Sequence, residues 1–266
     1  MMKAQIHATA IIDSSCELEP GVSVGPYAVL EGGVRVGEGS SIASHAVLKK
    51  ATIIGRKAQV GHFAVLGGDP QHLGFDPDTP SELIIGDEVR LGEGVTVHRS
   101  MYENGKTIIE NGCFLMGNAH VAHDCRIGEN TILANGALLG GHVVLGADVF
   151  VGGGAGLHQF IRVGEGAMIG GLAQVSADVP PQVTVSERNR ACGLNLVGLK
   201  RRQATKQEQR ELKEAYRRVF MKTGNPTKLA ELILSGDSPP QSPIVRSFLE
   251  FFLSGSRGFV RSLHSQ

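Results

Sequence analysis

The sequence has no tryptophan, few other aromatic residues and no long hydrophobic run. Aromatic residues make up 5% of its 266 positions, and its four cysteines are too few for a disulfide framework in a chain of this length. No apolar run approaches the ~18 residues that a membrane-spanning helix needs, and no apolar signal segment precedes the first repeat. We therefore expect a cytoplasmic protein without stable membrane insertion, whose interior is filled by aliphatic side chains.

What the sequence has instead is a period of six residues. An aliphatic residue returns at every sixth position from Ile6 to Leu66 and again from Ile109 to Val175, with three further repeats between the two series. Glycine often follows the aliphatic residue, and a small or β-branched side chain comes four positions after it. A period of six fits neither an α-helix nor the alternation of an ordinary strand. It is typical of a parallel β-helix, in which stacked coils bury the aliphatic column.

Two interruptions and one change of composition divide the chain. Segments at about 68–83 and 99–107 contain the proline, glycine and asparagine signals of turns, so we expect them to leave the β-helix as excursions. Repeat character ends at two consecutive prolines, which cannot continue strand pairing. Capping residues and apolar helical faces then predict three or four helices. The predicted fold is mainly β: a β-helix at 1–182 and a C-terminal α-helical domain at 183–266.

The formal net charge of zero is distributed unevenly. Residues 183–266 carry 15 lysines and arginines against 7 aspartates and glutamates, a net charge of +8 that the rest of the chain balances. Such asymmetry fits a C-terminal part that meets an acidic partner or a phosphate. A solvated helical surface would show the same charge, so composition alone leaves both interpretations open.

Histidines concentrate in the second series of repeats. If one coil comprises three hexads, residues about 18 positions apart lie one above another at the spacing of paired strands. This spacing predicts a column of three histidines along one edge of the β-helix: His123, His142 and His158. His98 and His120 are expected near the same edge.

Two kinds of chemistry suit this column. A zinc site would need three or four nitrogens that converge on one ion, and a neighbouring chain could supply a missing ligand. An acid–base site would use His123, because the adjacent Asp124 can fix the tautomer of its imidazole. A glycine of the segment Gly140-Gly141-His142, one coil along, could offer a backbone N–H to an oxyanion. The spacing favours acid–base chemistry in an elongated groove and leaves a metal site open.

Several motifs, in the same order, resemble the bacterial UDP-N-acetylglucosamine O-acyltransferases that begin lipid A synthesis, over nearly the whole chain. The matching segments are Val97-His98-Arg99, 118–125, Leu133-Ala134-Asn135, Gly141-His142, His158-Gln159-Phe160, Asp178-Val179-Pro180-Pro181 and 195–202. The resemblance implies a left-handed parallel β-helix with a C-terminal helical domain, assembled as a homotrimer with active sites between subunits. It implies transfer of a 3-hydroxyacyl chain from acyl carrier protein to the 3-position of a UDP-sugar. Neither a metal nor a dissociable cofactor takes part, because the donor carries phosphopantetheine on the carrier protein, and no nucleic acid is expected as a partner.

Carried onto this chain, the resemblance makes His123 the general base, oriented by Asp124, and Gly141 the oxyanion donor. It assigns the contacts with the sugar nucleotide to Gln71, His120, His142, Asn195, Arg201 and Arg202, and the phosphopantetheine and acyl path to His158 and Gln159. Gly171 matches the position that sets acyl length, and its missing side chain predicts a long chain. The basic C-terminal helices would attract the acidic carrier protein.

Two departures from the family pattern affect the sugar-nucleotide side. The Gln-Asp-Leu-Lys loop of the family reads Gln71-His72-Leu73-Gly74 here, and a glutamate of the nucleotide region is replaced by Val197. We therefore expect acyl transfer and leave three acceptors open. These are UDP-N-acetylglucosamine acylated on oxygen, a 3-amino UDP-sugar acylated to an amide, and another UDP-sugar used by a specialised paralogue.

Three other classes of protein remain as alternatives. An N-acyltransferase of the neighbouring lipid A step usually carries an additional N-terminal domain, for which hexads beginning at Ile6 leave no room. A trimeric γ-type carbonic anhydrase would bind zinc through histidines between subunits. A purely structural β-helix would leave the histidines without a chemical role. The number of carbons in the acyl chain is not decided by the sequence.

Overall fold

The computed structural model describes residues 3–262, and its main body is a parallel β-helix. Its coils are built from short strands, most of them two residues long. The coil strands are β1 (Gln5–Ile6), β2 (Ile11–Ile12), β3 (Glu17–Leu18), β4 (Ser23–Val24), β5 (Val29–Leu30), β6 (Arg35–Val36), β7 (Ser41–Ile42), β8 (Val47–Leu48), β9 (Thr52–Ile54), β10 (Gln59–Val60), β11 (Val65–Gly68), β12 (Glu82–Ile85), β13 (Arg90–Leu91), β14 (Thr96–His98), β15 (Lys106–Ile109), β16 (Phe114–Leu115), β17 (His120–Val121), β18 (Arg126–Ile127), β19 (Ile132–Leu133), β20 (Leu138–Leu139), β21 (Val144–Leu145), β22 (Phe150–Val151), β23 (Gly156–Leu157), β24 (Arg162–Val163), β25 (Met168–Ile169) and β26 (Gln174–Val175).

Consecutive strands go to three different sheets, which form the faces of a prism. The first face contains every third strand from β1, the second face every third strand from β2, and the third face every third strand from β3. In the regular part, Gln5 lies opposite Ser23, 18 positions later. The two excursions lengthen their coils, so that Gln59 pairs with Arg90 and Arg90 with Phe114. All pairs between coils stay parallel.

Each short strand presents one side chain to the interior and one to the outside. In β20, Leu139 is fully buried whereas Leu138 is 51% exposed. The small residues of the repeat, such as Ala46 and Ala119, are buried beside the aliphatic column because little room remains next to the turns. This alternation is the physical origin of the six-residue period: two strand residues, of which one is buried, are followed by a turn that ends on a small buried residue.

Both excursions leave the prism at the same edge, between the second and third faces. One connects β11 to β12, and the other connects β14 to β15. We call this the histidine edge, because the turn between β17 and β18, which contains His123, lies on it as well. The predicted excursions are therefore neighbours on one side of the molecule.

The C-terminal part begins as β structure and becomes helical only later. Strand β27 (Val183–Ser186) continues the first face beside β25, and β28 (Arg190–Leu194) pairs with it in antiparallel orientation. The final strand, β29 (Arg261–Ser262), pairs with β28. The division at residue 182 stays a prediction about domains, but residues 183–194, which it placed in the helical domain, form strands that extend the first sheet.

Four α-helices follow. They are α1 (Leu196–Arg201), α2 (Lys206–Phe220), α3 (Pro226–Leu234) and α4 (Pro243–Glu250), with a 3-10 turn at Phe251–Leu253. Thr205 and Glu208 form the predicted capping box at the start of α2. None of the helices in the described part of the chain combines the length and the hydropathy that a membrane span requires.

A buried ion pair joins the last coils to the C-terminal segment. Asp178 is 1% exposed and accepts hydrogen bonds from the backbone N–H and the guanidinium of Arg162. The same guanidinium donates to the carbonyl oxygen of Ser254 and lies over the ring of Phe251. Because both charged groups are paired and hydrogen-bonded, this contact can be buried at the end of the prism.

Candidate active site at the histidine edge

The turns of the histidine edge stack the residues that the sequence singled out. His123 lies in the turn between β17 and β18, and Gly141 occupies the same position in the next coil. Gln159 occupies it in the coil after that. The parallel register thus converts sequence separations of 18 residues into direct neighbours.

His123 and Asp124 form a hydrogen-bonded pair. The distance from Nδ1 of His123 to Oδ2 of Asp124 is 2.8 Å, and the two side chains are 17% and 9% exposed. Asp124 has φ 60°, a left-handed conformation that aspartate tolerates better than most side chains, and its backbone N–H donates to Oγ1 of Thr107. The carboxylate also accepts hydrogen bonds from the Ser100 hydroxyl and the Met101 N–H. In a neutral imidazole with this geometry, the proton is on Nδ1 and is donated to the carboxylate. Nε2 then carries the lone pair that can accept a proton.

Gly141 makes room for the imidazole of His123. A Cβ atom at position 141 would lie 2.8 Å from Nε2 and 2.7 Å from Cε1 of His123, closer than such atoms approach. Its backbone carbonyl accepts a hydrogen bond from Phe160, while its own N–H donates to no other described residue. The glycine therefore packs close to Nε2 of the imidazole, and its N–H forms no hydrogen bond within the described part of the chain.

A cleft of about 580 Å³ opens beside this pair. The cleft is lined by six of the residues that were predicted to form the site: Gln71, His120, His123, Gly141, His158 and Gln159. The cleft is also lined by four polar residues that were not predicted as site residues: His98, Gln174, Ser176 and Arg188. For His98 a signal existed, since it stands in a motif shared with the family. Arg188 lies in the turn between β27 and β28, outside the repeat, where no periodicity indicates its position.

His142 lies next to the pair and does not line the cleft. Its ring packs edge-on against His123, with 5.1 Å between ring centroids, and stacks on Phe160 at 4.3 Å. Its Nε2 is 4.0 Å from Oδ2 of Asp124. The sequence expected His142 to hold the sugar; in the single chain it supports His123 from the side.

The remaining nominated residues lie away from the cleft of their own chain. Asn195 caps α1 through the Gly198 N–H and donates to the carbonyl oxygen of Gly166. Arg202 donates to the side-chain oxygen of Gln182, and Arg201 is exposed. Gly171 occupies an exposed turn between β25 and β26, on the edge between the first and second faces. A single chain does not bring these four residues to His123.

Burial lowers the pKa of three imidazoles of the site. It lowers the pKa of His98 to about 4, and positive charge on His120 or His123 would lower that pKa further. His98 is 9% exposed, and its Nδ1 has no hydrogen-bond partner among the described residues. Burial also lowers the pKa of His120, whose Nδ1 lies 2.8 Å from Oγ1 of Thr96. The pKa of His142 is lowered chiefly by burial, which the Asp124 charge opposes.

One group of side chains could hold a metal ion. Ligand atoms of His123, Asp124 and His142 all lie within 4.8 Å of one another. In this arrangement the carboxylate is already bound by two hydrogen-bond donors besides His123. The absence of a metal from the reaction therefore stays a prediction.

The first excursion is anchored by a buried arginine. Arg99 is 1% exposed and pairs with Asp69 at 2.9 Å. Its guanidinium also donates to the carbonyl oxygens of Pro77 and Thr79. These bonds hold both ends of the loop that carries Gln71 to the cleft.

Family models match three parts of the chain. Residues 178–260 match the model described as UDP-N-acetylglucosamine O-acyltransferase, domain 2. Residues 106–141 match the bacterial transferase hexapeptide model of six repeats, and residues 2–113 match the GMPPB C-terminal domain.

Two curated relatives resemble the chain along nearly its whole length. A protein of a Sulfurihydrogenibium species is 51% identical over 259 residues, which cover 96% of this chain and 94% of that protein. A protein of Ralstonia nicotianae is 42% identical over 267 residues, which cover 97% of this chain and 98% of that protein. Both are named acyl-(acyl-carrier-protein)–UDP-N-acetylglucosamine O-acyltransferase.

A solved structure shares the fold. The UDP-N-acetylglucosamine acyltransferase of Francisella novicida superposes with a TM-score of 0.91 at 31% sequence identity, over 97% of this chain and 94% of that one. Together with the hexapeptide match, such structures confirm the predicted left-handed parallel β-helix with C-terminal α-helices.

The low pKa of His98 predicts a loss of stability in acid. Between about pH 6.5 and about pH 4 the unfolded chain binds a proton on His98 that the folded protein does not bind. The free energy of unfolding should therefore decrease as the pH falls through this window. In His98→Asn the decrease should be smaller, as measured by urea denaturation at several pH values.

The exposed His7 provides the matched control, because His7→Asn should keep the pH dependence of the original protein. Curves for His98→Asn and the unaltered protein that run parallel between about pH 7 and about pH 4.5 would contradict the assignment of a neutral, buried His98.

Proposed function

Because the chain belongs to the family of acyl-(acyl-carrier-protein)–UDP-N-acetylglucosamine O-acyltransferases, we propose a catalytic assignment for its residues. The chain is an acyltransferase of the first step of lipid A biosynthesis, which moves an acyl chain from acyl carrier protein to UDP-N-acetylglucosamine. The acyl chain is a 3-hydroxyacyl chain, the acceptor is the sugar 3-position, and His123 is the general base. The enzyme is cytoplasmic and uses neither a metal nor a dissociable cofactor.

The observation that carries the proposal is the orientation of His123. Its Nδ1 lies 2.8 Å from Oδ2 of Asp124, and its Nε2 forms no hydrogen bond with any residue of the described range 3–262. A neutral imidazole held in this way can accept a proton at Nε2, while the carboxylate stabilises the resulting imidazolium.

The reaction follows from this geometry. Nε2 of His123 takes the proton of the sugar 3-hydroxyl as its oxygen forms a bond to the thioester carbonyl carbon. The carbonyl oxygen becomes an oxyanion, to which the unpaired N–H of Gly141 donates. When the tetrahedral intermediate collapses, the carbon–sulfur bond breaks and the phosphopantetheine sulfur receives the proton from His123. His123 returns to its neutral form, with an ester on the sugar and a free thiol on the carrier.

The lining of the cleft divides between the two substrates. His120 and Gln71 lie on the side of the first excursion and are assigned to the sugar, which His142 would also contact from beside His123. His158 and Gln159 lie two coils beyond His120 and are assigned to the phosphopantetheine and acyl path. The sugar nucleotide is thus assigned to one end of the cleft and the acyl donor to the other.

A second copy of the chain would complete the site. Asn195, Arg201 and Arg202 suit a diphosphate and Gly171 suits the acyl end, yet none of these residues lines the cleft of its own chain. The first face presents a row of partly exposed apolar side chains that a neighbour would cover: Phe114, Ile132, Phe150 and Met168. Both observations support an oligomer with active sites between subunits, and the resemblance to the family makes that oligomer a homotrimer.

The basic surface of α2 supports docking of an acidic carrier protein. Its exposed cations are Lys206, Arg210, Lys213, Arg217 and Arg218. Opposite charges accelerate encounter and orient the partner, so this surface suits an acidic carrier protein.

The acceptor is the least constrained part of the assignment. Gln71 lines the cleft, whereas His72 bends back on its own loop and accepts the Gly74 N–H at Nδ1. Val197 is 62% exposed and offers no polar group to a nucleotide. The two departures remove a carboxylate, a lysine and a glutamate, so an amide on a 3-amino UDP-sugar is the alternative product. With no side chain at Gly171, the acyl chain is long.

A panel assay identifies acceptor and donor together. The protein is incubated with UDP-sugars and 3-hydroxyacyl carrier proteins of different lengths, and the products are identified by mass spectrometry. We expect an ester at the 3-position of UDP-N-acetylglucosamine, and chelators should leave the rate unchanged. An amide would move the assignment to a 3-amino sugar. Stoichiometric zinc with activity lost on chelation, or no transfer to any UDP-sugar, would contradict it.

Removal of the imidazole tests the general base. His123→Ala should lower kcat by at least about 100-fold, because it removes the imidazole that Asp124 orients beside the cleft. His7→Ala is the matched control, since His7 is an exposed histidine of the first coil, and its kcat should match the unaltered enzyme. Equal rates for His123→Ala and His7→Ala would contradict the assignment of His123 as the base and support a structural role for the histidines.

Mixed oligomers test whether two chains share one site. His123→Ala and Arg202→Ala homo-oligomers should both be weakly active, the second through weaker binding of the sugar nucleotide. If neighbouring chains supply these residues to one cleft, oligomers reassembled from both variants should regain activity in the clefts that receive both native residues. Activity of the mixture equal to the average of the separate variants would show that each chain forms its own site.

A further inference from the structure

We propose that Ser100 is a positioning residue for the reaction, which fixes the Asp124 carboxylate and through it the imidazole of His123. The inference rests on the proposed role of His123 as the base. Ser100 lies in the second excursion, distant in sequence from the pair, and is fully buried. It does not line the cleft, so it would act through Asp124.

The contacts of Asp124 show why a third group is needed. A carboxylate held only by His123 could rotate about its last bond and carry the imidazole with it. Here Oδ1 accepts the hydroxyl of Ser100, and Oδ2 accepts both the Met101 N–H at 3.2 Å and Nδ1 of His123 at 2.8 Å. With a donor on each oxygen, the plane of the carboxylate is fixed, and the direction of the His123 ring with it.

The direction of the Ser100 proton follows from its other contact. Its oxygen accepts the Tyr102 N–H at 3.1 Å, and a hydroxyl has one proton to donate. With the Tyr102 N–H on one side and the carboxylate on the other, that proton is directed to Asp124. Ser100 is therefore a donor to the ionised carboxylate, which is among the stronger hydrogen bonds that a hydroxyl can make.

Ser100 itself is held by a buried network. Its carbonyl oxygen accepts the hydroxyl of Ser81 at 2.6 Å, and the oxygen of Ser81 accepts Nη1 of Arg99 at 3.0 Å. Arg99 in turn pairs with Asp69 in the first excursion. Both excursions, which the sequence left without a shared role, thus support one hydroxyl that touches the His123–Asp124 pair. Since every link is buried or partly buried, the support is rigid.

The kinetic test separates positioning from binding. Ser100→Ala should lower kcat about 10-fold, which corresponds to loss of one hydrogen bond to a charged group, while the KM for the sugar nucleotide stays within about 2-fold. Ser100→Thr, which keeps the hydroxyl, should recover most of the rate. Ser40→Ala is the matched control, because Ser40 is a fully buried serine whose hydroxyl joins Gly55 and Ala58 in another coil.

A double-mutant cycle shows whether Ser100 acts through Asp124. In an Asp124→Asn background, Ser100→Ala should change kcat by less than about 2-fold, because the carboxylate that it positions is gone. An unchanged kcat in Ser100→Ala would overturn the inference. A loss of about 10-fold in both the original and the Asp124→Asn background would overturn it as well.

Imidazole nitrogen NMR separates this inference from the proposed function. With the His123 signals identified by their loss in His123→Ala, the unaltered protein should show a proton held at Nδ1 in slow exchange, and Ser100→Ala should show faster exchange. Unchanged His123 signals in Ser100→Ala overturn the positioning role. Changed signals in a protein that acylates no UDP-sugar support the positioning role and reject the function.

Discussion

Parallel pairing of one coil on the next, in constant register, is the constraint on which the rest of this structure depends. Because each face contributes a two-residue strand and each edge a short turn, equivalent turn positions recur at the spacing of paired strands, about 4.8 Å. Residues far apart in sequence therefore lie in vertical columns, as His123, Gly141 and Gln159 do. Extra residues can be accommodated only at an edge, and both excursions use the histidine edge.

This constraint explains the chemistry at that edge. The column places a glycine beside the free side of His123, where any side chain would displace the imidazole, and it places His142 against the other side. The excursions then cover Asp124 with donors and bring Gln71 over the cleft. Burial lowers the pKa of His98 to about 4, so this imidazole of the cleft is uncharged at neutral pH. A rigid column and two anchored loops together hold one imidazole in one orientation.

The sequence predicts what the period controls. The hexads indicated the β-helix, both excursions and the stacking of His123 below Gly141, and the adjacent Asp124 does contact the imidazole. Features outside the period were missed. Ser100 and Met101 reach Asp124 through an irregular loop, and Arg188 reaches the cleft from a hairpin turn that lies outside the repeat. Asn195 and Arg202 were predicted from the resemblance, but their side chains contact Gly166 and Gln182 in one chain, so the proposed role requires a neighbouring chain.

The central claim is that the stacked turns of the histidine edge place Nε2 of His123 next to the atom that is acylated. The most direct measurement is a crystal structure of the protein with UDP-N-acetylglucosamine bound. The account predicts the sugar 3-hydroxyl within about 3.2 Å of Nε2, with Nδ1 still on Asp124 and the nucleotide reaching toward a neighbouring chain. A sugar bound with its 3-hydroxyl away from His123, or a metal ion seated between His123 and His142, would contradict it.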